Sequence, residues 1–227
     1  MSNKRGPYSS PRQQVRRKRI LRTARVQLER DGLPMLTMQS IAATSEVSLK
    51  TLYNQFGTRD QLLLEAAAGL LDYLERSFPV QNTQLGIDRL LAYSEGAMKG
   101  FATTPEYART IIRILLQAEG DNPTANMQLS SIQRIAHSSL EAAAEQDEIH
   151  AHLNLLELSH LIAANQWGTT LMWEKGVLTI EELENQTRLG HYLILTPLCR
   201  GKRKKTMEAR LRELLDYQGS KHKVADN

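Results

Sequence analysis

Residues 48–63 read SLKTLYNQFGTRDQLL. On a helical wheel advancing about 100° per residue, Leu52, Tyr53 and Phe56 fall within about 60° of Leu49. Lys50, Thr51, Asn54 and Gln55 occupy the rest of the circumference. A helix of two turns has little stability of its own, so its apolar side must be packed on neighbours. The other side then offers amides, a hydroxyl and an ammonium group to an outside partner.

The flanking sequence supplies those neighbours. Thr37 is placed to cap a short helix, Met38 to Ser45, that turns Ile41 and Ala42 inward. Glu46-Val47-Ser48 forms a three-residue turn, and Ser48 caps the quoted helix. Upstream, Leu21, Ala24 and Leu28 repeat at helical spacing in a segment starting near Arg16. It ends at Asp31-Gly32, with Pro34 blocking continuation. Downstream, Thr58 and Gln61 have capping-box spacing at the start of a long helix through Leu62, Leu63, Ala66, Leu70 and Leu74. Residues 1–60 hold twelve Lys and Arg against four Asp and Glu, a net +8, whereas the remaining 167 residues carry 17 against 21, a net −4. One end of the chain is therefore suited to a polyanion. Two helices joined by a tight turn in such a segment have the form of a helix-turn-helix, whose second helix enters the DNA major groove. Lysine suits guanine O6/N7, and Asn or Gln suits adenine N6/N7.

Residues 37–63, TMQSIAATSEVSLKTLYNQFGTRDQLL, closely resemble the DNA-binding segment of the tetracycline-repressor (TetR) family, whose pattern reads roughly T-x-x-x-I-A-x-x-A-G-V-S-x-x-T-L-Y-x-Y-F-x-S-K-x-x-L. The matches are Thr37, Ile41, Ala42, Val47, Ser48, Thr51, Leu52, Tyr53, Phe56 and Leu62. The resemblance implies phosphate contacts at Thr37, Tyr53 and Arg59, with Gln55 a weaker candidate. It implies base contacts at Gln39, Leu49, Lys50, Thr51 and Asn54, and Ser48 is counted with this DNA-binding set. Three residues depart from the pattern: Glu46 stands where glycine is preferred in the turn, Arg59 replaces lysine, and Leu49 replaces a position that is often polar.

The rest of the chain also reads as helix, over 84–102, 105–119, 123–147, 152–176 and 179–199, with a short peripheral helix over 206–217. No alternating strand pattern appears, so the expected class is all-α. The expected organisation is a flexible basic arm (1–15), a helix-turn-helix domain (16–62), a helical effector-binding and dimerisation domain (63–200) and a basic C-terminal tail (201–227). The resemblance implies that the last two long helices pair two copies into a homodimer, with Leu155, Leu158, Ile162, Leu189, Tyr192 and Leu193 as interface candidates. It also implies a small-molecule pocket, for which Tyr93, Met98, Phe101, Tyr107, Ile111, Leu115, His137, Trp167 and Trp173 are candidates. Few ionisable groups interrupt the apolar helices, which favours an uncharged or apolar effector.

The expected function is thus a ligand-responsive regulator, a repressor that binds a palindromic double-stranded DNA operator as a dimer and is released by an effector. No cofactor, metal or catalytic group is expected, and there is no Walker loop, dinucleotide fingerprint or nucleophile elbow. The competing reading is an all-α enzyme using Glu157 and His160, whose Glu-x-x-His spacing is that of di-iron bundles; those sites need two copies, and the chain has one. His150 and His152 have no evident third ligand. A single cysteine, Cys199, excludes intrachain disulfides, and with no signal peptide or membrane span the expected location is the cytoplasm.

Overall fold

The computed structural model describes residues 11–66, 85–118, 122–150 and 152–225. Among these the chain is helical without β-strands, apart from an isolated antiparallel bridge between Ile149 and Cys199. Helix α1 spans Pro11–Asp31, α2 Met38–Thr44 and α3 Leu49–Phe56, and the described part of α4 covers 59–66. They are followed by α5 (Gly86–Thr103), α6 (Pro105–Leu116), α7 (Pro123–Leu129), α8 (Ser131–Glu145), α9 (Leu155–Glu174), α10 (Ile180–Leu195) and α11 (Gly201–Ala225). Leu70 and Leu74 lie outside the described residues, as do residues 1–10 of the expected arm.

Local chemistry sets most boundaries. Thr37 and Ser40 form a reciprocal capping box at α2, with bonds of 3.0 and 3.1 Å. The Ser48 hydroxyl accepts from Thr51 N at 3.1 Å to start α3, and Thr58 does the same for Gln61 N in α4. Helix α3 stops at Gly57, whose φ of 73° is left-handed. Thr179 and Glu182 form a second full box at α10.

Three expectations are corrected. Helix α1 is already helical at Pro11, the first described residue, five residues before Arg16. The single helix expected over 123–147 is broken at Ser130, where Trp167 Nε1 donates to the Leu129 carbonyl at 2.8 Å and draws it out of the helical ladder. The supposed basic tail is a 25-residue helix whose first turn carries the basic run.

Arg203 in that run is not a solvated charge. Its guanidinium donates to both Asp88 carboxylate oxygens at 2.8 and 2.7 Å and to Glu148 Oε1 at 2.8 Å, tying α11 to the start of α5 and to the turn that follows α8. Gly86, with φ 65°, permits this approach: a Cβ there would lie 2.6 Å from Glu148 Oε2. Replacing Arg203 by Met should cost about 2 kcal/mol, the loss expected for a half-buried pair deprived of one partner and discounted for the exposure of Asp88. An unchanged urea midpoint would remove this role.

Two apolar clusters order the molecule. The first joins Ile20 and Leu28 of α1, Ile41 of α2, Leu52 and Phe56 of α3 and Leu62 of α4 to Phe101, Ile111, Leu115 and Trp173. The second gathers Ile87, Leu90, Leu140, Ile162, Leu195, Cys199 and Met207. The helix-turn-helix therefore shares its core with the end of α5, with α6 and with the end of α9, while α11 packs at the other cluster.

Candidate nucleic-acid interface

Helix α3 turns Leu52 and Phe56 fully inward. Leu49 is half-buried and packs against the same cluster, so it belongs to the anchoring side. Tyr53 is corrected in the opposite sense: the wheel places it with the anchors, but it is half exposed. Lys50 and Asn54 are exposed beside it, and these three residues form one outward strip at i, i+3 and i+4. Thr51 is half-buried, and its hydroxyl lies 2.8 Å from that of Ser48. Thr37 and Gln39, at the start of α2, are exposed, whereas Gln55 is half-buried.

Two residues that periodicity did not single out hold this head together. Arg17 donates to the Gln55 carbonyl at 3.0 Å, pairs with the Glu65 carboxylate, and places its guanidinium 4.4 Å from the Phe56 ring centroid. Gln27 is buried and donates to Thr44 Oγ1 at 2.7 Å, joining α1 to α2. The available signal was a glutamine three residues after Ala24 and one before Leu28, within a stripe that is otherwise apolar. Arg59, where the resemblance implies a phosphate contact, donates through Nε to the Leu36 carbonyl at 2.6 Å and through Nη2 to the Leu33 carbonyl at 2.7 Å, bracing the turn before α2.

The turn between α2 and α3 closes as a Schellman motif: Glu46 N donates to Ala43 O at 3.2 Å and Val47 N to Ala42 O at 3.1 Å. Glu46 occupies its left-handed position with φ 53°, the conformation that glycine adopts without steric cost. Glu46→Gly should therefore raise stability by about 1 kcal/mol. Glu46→Gln serves as the charge control; equal melting temperatures for Glu46→Gly and the parent would show that the turn is unstrained.

Among the described residues, the effector candidates are divided between the two packed clusters. Met98, Phe101, Ile111, Leu115 and Trp173 belong to the first core cluster, with Phe101 and Trp173 stacked at 5.6 Å. Tyr107 packs on that cluster, and burial pushes its pKa up to about 12, with Arg25 and Glu29 of α1 as the charges acting on it. Tyr93 packs on the second cluster, Trp167 touches both, and His137 is half-buried, 3.5 Å from Glu141 one helical turn away.

Among the interface candidates, Ile162 is corrected: it is fully buried inside its own chain. Leu155, Leu158 and Tyr192 are partly buried against the second cluster, and Leu189 is half-buried. Leu193 is 50% exposed and is joined outside by Leu156, Leu161, Leu171 and Met172 of α9, each 41–52% exposed. Glu157 and His160 are both exposed on α9, and among the described residues no group of three His, Cys, Asp or Glu is placed to hold a metal. No described helix is long and apolar enough to cross a membrane.

Residues 20–66 match the sequence model of the family described as bacterial regulatory proteins, tetR family, which bears out the resemblance read from residues 37–63. No curated protein matches the chain. Among solved structures, a TetR transcriptional regulator from Rhodococcus sp. RHA1 is 20% identical, covers 81% of this chain and 97% of its own, and superposes with a TM-score of 0.65. FadR of Thermus thermophilus, a TetR-family repressor solved with lauroyl-CoA, is 19% identical over 82% of this chain and 96% of its own, with a TM-score of 0.66. CprB of Streptomyces coelicolor, solved with its operator, is 18% identical over 89% of this chain and 98% of its own, with a TM-score of 0.58. The fold is that of these all-helical regulators.

Proposed function

We propose that this chain is a ligand-responsive transcriptional regulator that binds a palindromic operator as a homodimer and is released by a small effector, which makes it a repressor. The observation that carries the reading is the outward strip Lys50, Tyr53 and Asn54, on a helix anchored by its other face, within a segment of net charge +8 that matches the tetR family model. CprB with its operator and FadR with lauroyl-CoA are relatives in which DNA and a small ligand are the partners. Tyr53 and Thr37 are assigned to phosphates, Lys50, Asn54 and Gln39 to base edges, and the exposed faces of α9 and α10 to the second copy.

An effector can act only through unequal affinity for two conformations. Such a change would strain two joints between the reading head and the rest of the chain. Asn122 donates to Gln61 Oε1 at 2.7 Å, so the start of α7 is tied to α4 directly behind the reading helix. Tyr107 of α6 lies close enough to Arg25 and Glu29 of α1 to feel both charges.

The deciding experiment is selection of bound sequences from random duplex DNA, in which a palindrome is the expected outcome. Affinity for the selected operator should fall with salt on a log–log plot with a slope of about −0.9 per phosphate neutralised. Tyr53→Phe should weaken binding to all sequences alike, since a phosphate contact positions the protein and does not specify sequence. No enrichment above the starting pool would reject the regulator reading.

A further inference from the structure

A narrow cleft lies between α5 and α10, away from the reading head. It is built by Leu91 and Met98 from α5 and by Arg188 and His191 from α10, and it encloses about 50 Å³. His191 is fully buried, and neither ring nitrogen makes a hydrogen bond of ordinary geometry, although the Ile162 carbonyl is near enough to act on the ring. Burial pushes its pKa down to about 4, against a smaller upward pull from the Ile162 carbonyl, so at neutral pH the ring offers one N–H and one lone pair. Arg188 Nε, on the same wall one turn earlier, is also buried without a partner, although the same guanidinium reaches Asn185 Oδ1 at 3.0 Å. The neighbouring hydroxyls do not satisfy these atoms: Ser94 donates to Gln166 at 2.9 Å, and Thr187 is paired with Thr169 at 2.7 Å. Buried polar groups left unpaired cost about 1–3 kcal/mol each, so their persistence at one cleft points to a missing partner.

The charges around the cleft select its class. Glu95 and Glu184 also line it, and Lys99 pairs with Glu95 at 2.7 Å and is pulled upward in pKa by both carboxylates. An anion drawn to Arg188 meets the two carboxylates, and a cation drawn to the carboxylates meets Lys99 and Arg188, so the four charges cancel. No wall group, the two carboxylates included, is bonded to Arg188 Nε–H, and none both donates to and accepts from the neutral imidazole. We propose that the α5–α10 cleft is a binding site for the hydroxyl or primary-amide head of a small neutral molecule, with His191 and Arg188 as its polar contacts and Leu91 and Met98 against its apolar part. By the measure in which one water needs about 10–15 Å³, the cleft has room for a head group of a few non-hydrogen atoms. The proposal deepens the effector-responsive reading above and rests on it for the regulatory meaning of the ligand; binding itself is tested without DNA.

Butyramide and 1-butanol are the probes, with butyrate and butylammonium as charged controls of similar size. On the free protein with ring-labelled histidine, the neutral probes should shift the His191 signals saturably, and the charged controls should not. His191→Leu and Arg188→Met should each weaken butyramide binding about tenfold, with helical circular dichroism retained as evidence of folding. If one variant fails to fold, the other carries the comparison. Silent His191 signals with both neutral probes, equal binding to the folded variants, or tighter binding of a charged control would overturn the proposal. A chain that shifts His191 with butyramide but selects no DNA sequence would reject the regulator reading and leave this site standing.

Discussion

Glutamates placed together at Leu161 and Leu193 should split the protein into monomers and lower operator affinity by about a thousandfold or more, the scale that separates specific from non-specific binding. The reason lies in what α9 leaves outside. Leu156, Leu161, Leu171 and Met172 are each 41–52% exposed on α9, and Leu193 is 50% exposed on α10, which is more apolar surface than a monomeric helix pair ordinarily offers to water. Ala164 and Gly168 are exposed on the same helix and would allow close approach of a second copy. One two-turn helix reads only a few base pairs, whereas a two-fold dimer doubles the contacts and fixes their spacing at about 34–36 Å or a multiple of it. Leu161 is the better site for a charge than Leu158, which is half-buried against its own core, where a carboxylate would damage the fold instead of the interface. Sedimentation should show the monomer and circular dichroism an unchanged helix content. A double variant that remains a dimer, or a monomer that still binds its operator tightly, would sink the pairing.

The parts of this molecule that were legible in its sequence are those held by contacts a few residues apart. Thr37, Ser48, Thr58 and Thr179 each cap the helix they precede, because a cap needs only its own hydroxyl and an N–H three residues on. What the sequence concealed depends on distant partners. Arg203 reads as one more charge in a basic run, and only its meeting with Asp88, 115 residues earlier, makes it a brace. Arg17 bonds to Gln55 across 38 residues, and the break at Ser130 follows from Trp167, 38 residues beyond Leu129. Tyr53 shows the limit of a wheel in a short helix: about forty degrees from Leu49 is close to the core by angle, yet the neighbours bury only Leu52 and Phe56 completely. The effector candidates, divided among the described residues between two clusters, carry a related ambiguity. Aromatic and methionine residues at helical spacing mark buried faces, and a buried face becomes a pocket only where opposing helices leave a gap. His191, noted in the sequence only as an ionisable group within an apolar helix, lies at such a gap.

Alanine at Lys50 or at Asn54 should relax base preference at particular operator positions, with about 1–3 kcal/mol of discrimination disappearing at each base that the side chain reads directly. Exposure narrows the reading to these two. Of the residues assigned to base edges, Leu49 packs inward and the Thr51 hydroxyl is held beside that of Ser48, which leaves Lys50 and Asn54 on α3 and Gln39 on α2 facing out. Lys50 can donate to guanine O6/N7, and Asn54 can pair with both N6 and N7 of adenine, so the positions that relax should be guanine and adenine respectively. The two variants should also differ in salt response. Lys50→Ala removes a charge near the polyanion and should flatten the slope, whereas Asn54→Ala should leave it unchanged. Because the residues are one turn apart on the same strip, their effects should not add in the double variant, as neighbours share bases and ordered water. Selected sequences from the two single variants, compared with those of the parent, provide the measurement. Unchanged preference in both would move the reading to Gln39, whose place on α2 gives it the next exposed amide, and would reduce α3 to a positioning helix.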